Sequence, residues 1–171
     1  MSRNKMAGPF RAALAGAVAG TAASAMMDVY WWAMQGVPGA RPEQQPRPGD
    51  HTPGHEPATQ NMADAFWRAV TGSEVPRDKK AVAGVAAHYA FGAACGALWG
   101  VYAAMRRRSA LPEGVLYGVA IWLLGDEIAF RAAKMSPEAE KVPLSEHAQA
   151  FGAHLVYGAG TAAITERLAS G

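Results

Sequence analysis

A single cysteine, Cys95, is all the thiol chemistry that the 171-residue chain possesses. It excludes an internal disulfide, and its apolar neighbours read it as a small packing residue. Net charge is equally scarce. The formal value is +2, and the basic residues collect at the ends of apolar segments rather than along one face, so nucleic acid is not an expected partner. No glycine-rich phosphate loop follows a strand pattern, and no Ser, His and Asp are embedded in a nucleophile elbow. The chain is therefore not read as an enzyme, and no catalytic residue is assigned. The most telling lack is of charge over long stretches. Charged residues gather in 1–11, 41–80, 106–113 and 131–146, and the segments between are nearly free of them. A mean hydropathy near zero hides this segregation, which is the signature of a membrane protein.

Four apolar segments follow, at residues 12–34, 81–105, 114–133 and 147–165. At about 1.5 Å per residue each can cover the roughly 30 Å hydrocarbon core. The expectation is an all-α, integral membrane four-helix bundle in one domain spanning residues 1–171. Tyr30, Trp31 and Trp32, and then Trp99 and Tyr102, suit interfacial aromatic belts. Arg3, Lys5 and Arg11 before the first segment, Arg106, Arg107 and Arg108 after the second, and Arg167 after the fourth fall on one side, which predicts both termini in the cytoplasm. The first segment has a rival reading as a cleavable signal peptide, with Ala23-Ser24-Ala25 imitating a cleavage site. Its apolar run nevertheless continues to Met34, beyond what a signal core needs.

Residues 35–80 form a long polar loop whose early part (Pro38, Pro42, Pro46, Pro48, Pro53, Pro57) is too rich in proline for helix or sheet. Within it Met62, Phe66 and Val70 recur at helical spacing, with Trp67 adjacent and Asp64 and Arg68 elsewhere on the wheel. They predict a short amphipathic helix that either lies on the membrane surface or caps the bundle.

The two halves of the chain resemble each other. Gly16-x3-Gly20-x7-Asp28 has its counterpart in Gly114-x3-Gly118-x7-Asp126, and His88-Tyr-Ala-Phe91-Gly92-Ala93 aligns with His154-Leu-Val-Tyr157-Gly158-Ala159. The long loop accounts for the extra length of the first half. The pattern reads as two repeated helical hairpins related by a pseudo-twofold along the membrane normal. Asp28, His88, Asp126 and His154 then lie roughly 10 Å inside one membrane face.

An Asp, Glu or Arg at a helix centre costs about 2.5–3.5 kcal/mol on insertion scales, so such residues face partners, water or a pathway. Asp28, Asp126, Glu127 and Arg131 qualify, with His88, His147 and His154 as candidate partners. Glu127 and Arg131, at i and i+4 with the acid first, suit an intrahelical ion pair. Three readings fit the set. It is a network that handles protons or a small ion or solute; or it fixes helix register in a structural or partner-binding subunit; or it holds a metal or haem. The metal reading lacks the usual helical chelate, since no His and acid stand three or four apart in the spans. Asp50, His51, His55 and Glu56 cluster in the loop without a frame around them. No cofactor is assigned. The expected surroundings are the lipid bilayer and a second copy of the chain or a partner membrane protein, because the glycine faces, Gly92-x3-Gly96-x3-Gly100 among them, exceed what one small bundle needs.

Gly125-Asp126-Glu127 leading to Met135-Ser136-Pro137, then Pro143-Leu144-Ser145-Glu146-His147 and Phe151-Gly152-Ala153-His154-Leu155-Val156-Tyr157-Gly158, resemble the second half of the YagU-like family of small bacterial inner-membrane proteins. Residues 19–34, followed by proline-rich sequence, are similar to the start of that family. The resemblance implies a four-span protein of the bacterial inner membrane, of unassigned biochemical activity, with a proposed connection to acid tolerance. The intramembrane histidine that the family carries in its third helix is absent here, and Asp126 and Glu127 stand nearby.

Overall fold

A computed structural model of the chain describes residues 3–34, 57–106, 111–135 and 143–170, and the side chains of 8–34, 57–106, 111–135 and 143–169. Among these residues there is helix and no strand. The helices are α1 (Arg3–Met34), α2 (Ala58–Thr71), α3 (Lys80–Arg106), α4 (Leu111–Ile121), α5 (Phe130–Ala132) and α6 (Leu144–Ser170). A 3₁₀ turn at Arg77–Lys79 leads into α3. A π-helical stretch, Trp122–Ala129, joins α4 to α5 in one continuous rod. The proline-rich run with His51 and His55, Arg107 and Arg108, and Ser136 to Val142 lie outside the described residues.

Two helical segments, Gly8–Met34 and Arg77–Arg106, are long and apolar enough to cross a membrane. Most of their apolar length is not buried inside the chain, and large side chains such as Val29 (63 %), Val82 (72 %) and Leu98 (68 %) point outward. Helix is favoured along these segments by alanine and leucine, which lose little freedom in it.

Glycine decides how the helices meet. Gly16 and Gly20 of α1 lie against Gly92, Gly96 and Gly100 of α3 so closely that a methyl group on Gly16 would overlap the Gly96 carbonyl, and one on Gly96 the Gly16 carbonyl. Gly114 and Gly118 of α4 make the same approach to Gly158 and the His154 carbonyl of α6. Backbone against backbone at this range maximises dispersion contact. α1 also packs along α6 through Ala23, Met27, Ala153 and Tyr157, the principal core cluster.

Between α3 and the α4 to α5 rod, large side chains span a wider gap. Tyr117 stacks on Trp99 at 5.1 Å, Phe91 meets Phe130 at 5.7 Å, and the Tyr117 hydroxyl donates to the Cys95 carbonyl at 2.7 Å. Trp99 is 2 % exposed. It fills this seam rather than joining an interfacial belt, packed between the rings of Tyr102 and Tyr117.

The helix boundaries run beyond the expected spans, most of all in α6, which begins at Leu144. At the other turn, the Met135 N–H bonds the Phe130 carbonyl and the Lys134 N–H the Arg131 carbonyl. This is a Schellman closure with Lys134, at φ 56°, in the left-handed position usually held by glycine.

Candidate functional site

A cavity of about 300 Å³ is walled by α1, α2, α3, α6 and the π-helical stretch. Six of the seven residues singled out from the sequence line it: His88 from α3, Asp126 and Glu127 from the π stretch, Arg131 from α5, and His147 and His154 from α6. Asp28 does not line it. Its carboxylate lies on the outside of the α1/α3 pair, 54 % exposed and 3.7 Å from His88 Nε2, and accepts the Tyr89 hydroxyl proton at 2.6 Å.

The π turn sets this geometry. Its ladder runs from the Phe130 N–H to the Gly125 carbonyl, five residues back, so the helix is locally wider and its side chains are re-aimed. Consecutive acids, Asp126 and Glu127, both reach the cavity as a result. Glu127 is held twice. The Arg131 guanidinium lies 3.0 Å away, as the i, i+4 spacing predicts, and His147 Nδ1 binds it from the next helix at 2.8 Å. With side-chain exposures of 15–18 %, this triad is an enclosed, charge-assisted network.

Asp126 has a different relation to its histidine. His154 Nδ1 lies 2.8 Å from the Ala150 carbonyl, one turn earlier on α6. A carbonyl can only accept, so Nδ1 carries a proton and Nε2 is the nitrogen turned to Asp126, at 3.7 Å. If neither Nε2 nor the carboxylate held a proton, two lone-pair-bearing atoms would face each other. A proton on either atom would turn this contact into an attraction. His88 and Asp28 stand at the same 3.7 Å separation, and the His88 Nε2 atom is buried without a hydrogen-bond partner.

Several features of the site escaped sequence reading. Ser24 is fully buried, its hydroxyl has no hydrogen-bond partner, and it lines the cavity. Its position four residues before Asp28 was the available signal. Glu146, beside His147 at the start of α6, also lines the cavity. Tyr157 donates to the Gly92 carbonyl at 2.6 Å, clasping α6 to α3 at a carbonyl that helix packing alone would leave with a single bond. Pro57, Ala58, Thr59 and Met62 also line the cavity, so α2 caps the bundle, while Phe66 and Val70 stay exposed at 71 % and 69 %. Among the described residues no three His, Cys, Asp or Glu side chains are grouped to hold a metal ion.

Outside the cavity, α2 is fixed by Asp64, whose Oδ1 accepts the Val75 N–H at 2.7 Å and whose Oδ2 pairs with Arg68 at 2.9 Å. Burial opposes ionisation of this carboxyl. The Val75 N–H, Arg68 and the charge of Lys80 outweigh it and hold the group below the usual carboxylate range.

A family model described as a protein of unknown function (DUF1440) matches residues 57–163. The chain belongs to this family. The matched region runs from the start of α2 into the last turns of α6, so it contains all six cavity-lining candidates and excludes α1, with Ser24, Asp28 and Trp31. No curated protein and no solved structure matches the chain.

Proposed function

We propose that this is a four-span protein of the bacterial inner membrane, of the YagU-like kind, built from two duplicated hairpins and handling protons or a small ion or solute through its central cavity. Asp126 and His154 carry the exchangeable proton, the Glu127, Arg131 and His147 triad holds the wall in place, and His88 links the cavity to Asp28.

The observation that carries the reading is the Asp126 carboxylate facing Nε2 of His154, an imidazole whose Nδ1 is tied to a backbone carbonyl, at the wall of a cavity inside an otherwise apolar bundle. Intramembrane ionisable groups are expensive and cluster where they act. The duplication is supported by the matching glycine approaches and the equal Asp to His separations in the two halves. The membrane reading is supported by the outward apolar faces of α1 and α3. Asp28, exposed on that outer face, is a costly group to leave in lipid and suits contact with a second copy of the chain.

The test is proton movement in sealed liposomes under an imposed pH gradient, read by an internal pH dye. Vesicles holding the protein should acidify faster than empty ones, and Asp126→Asn should abolish the difference while keeping its circular dichroism and elution volume. Flux equal to that of empty vesicles would instead favour a subunit whose polar residues only hold helices together.

A further inference from the structure

We infer that the cavity binds a small organic cation, a protonated or quaternary amine carried on an apolar body. The inference rests on the cavity being the working site and names the class of molecule it takes.

The charge of the lining is the first argument. Asp126, Glu127 and Glu146 contribute three carboxylates and Arg131 a single guanidinium, while His88, His147 and His154 are charged only when protonated. Arg131 pairs with Glu127. The nearest cationic partner of Asp126 is an imidazole 3.7 Å away, beyond hydrogen-bonding range. In a low-dielectric surround such a lining favours a cation and opposes an anion.

The remainder of the wall selects among cations. Trp31, Phe91, Phe130 and Tyr157 present aromatic rings from four different segments, and Met27 and Met62 add polarizable sulfur. Aromatic faces attract ammonium groups, and most of all those that shed water readily, as alkylated amines do. Inorganic cations instead need a cage of oxygens, and the described residues supply no group of ligands for a metal ion. A volume of about 300 Å³ lies at the small end of ligand pockets. Ser24, fully buried, borders the cavity with its hydroxyl packed against Gly92 of α3.

The probe is benzyltrimethylammonium, titrated calorimetrically into the full chain in detergent micelles, with phenylacetate and benzyl alcohol as anionic and neutral counterparts of similar size. The cation should bind about tenfold or more tightly than either counterpart. Asp126→Asn and Phe91→Ala, each checked for unchanged helicity, should weaken it by about tenfold or more. Phenylacetate binding as tightly as the cation, or affinity unaltered in both variants, would overturn the inference. Proton flux in liposomes without benzyltrimethylammonium binding would also overturn it and leave the proton reading standing. Cation binding without proton flux would support the inference and remove the proton reading.

Discussion

The carboxylate of Asp126 and Nε2 of His154 face each other at 3.7 Å, with the far nitrogen of the ring tied to the Ala150 carbonyl at 2.8 Å. The carbonyl fixes which nitrogen meets the acid, an arrangement by which proteins orient a working imidazole.

His154→Gln is therefore expected to leave the bundle assembled and to abolish proton flux in liposomes, because an amide can bond both neighbours but cannot take up a proton. Nitrogen-15 NMR of the wild type should show the His154 Nδ1 protonated throughout neutral and mildly alkaline pH. A signal from the opposite tautomer would remove the basis of this prediction.

Glu127 is expected to behave as a structural anchor. Glu127→Leu should destabilise the chain by about 3–5 kcal/mol, because Arg131 and His147 both lose a carboxylate that offsets their burial. The double variant Glu127→Leu with Arg131→Met should recover much of that loss. Denaturation of the two single variants and the double variant, followed by circular dichroism, gives the coupling. An additive result would show that the pair acts independently.

Two glycines should respond in opposite ways. A methyl group on Gly96 would collide with the Gly16 carbonyl, whereas one on Gly125 meets nothing within 4 Å. Gly96→Ala should separate α1 from α3 and destabilise the protein by about 1–3 kcal/mol or more. Gly125→Ala should be neutral or stabilise by about 0.5–1 kcal/mol. Melting curves in detergent distinguish these outcomes.

Asp64 gives the cap over the cavity a pH dependence of defined sign. Its folded carboxyl titrates below the ordinary value of 3.8, so its stabilising contribution is complete above that value and is lost as pH falls below it through the folded titration. Hydrogen exchange of residues 58–76 should therefore accelerate below about pH 4 while the interior of α3 stays protected. Asp64→Ala should cause the same acceleration at neutral pH, at a cost of about 1–3 kcal/mol for the Val75 N–H left without its acceptor. Unchanged exchange in the variant would count against this role.

Lys134 occupies a left-handed backbone position that glycine adopts without strain. Lys134→Gly should raise the melting temperature, by an amount corresponding to roughly 1 kcal/mol. A fall would show that the lysine side chain contributes more than its backbone costs.

Much of the site was legible because hydrophobicity and spacing are local properties. The Glu127 to Arg131 pair follows from their spacing alone, and the glycine runs announce close packing wherever they lie. The π turn was not legible, since the 3.6-residue period used to read a helix assumes the regularity that Trp122–Ala129 abandons. That departure brings Asp126 and Glu127 together into the cavity. Asp28 was placed with the other three polar residues by depth, and depth says nothing of azimuth. It faces outward, toward Tyr89. Trp99 was assigned to an interface by composition, whereas the seam between α3 and α4 needed a large ring to fill it.

Where Gly16 meets Gly96 and Gly100, main chain touches main chain, and no side chain stands there that could swing aside on the nanosecond scale of a rotamer flip. A solute leaving the cavity through that contact would require whole helices to tilt or slide as rods, on the microsecond to millisecond scale of collective motions. Turnover through this protein would then be stepwise, slower than pore diffusion by orders of magnitude, and a cross-link between α1 and α3 would stop it without touching a single ionisable group.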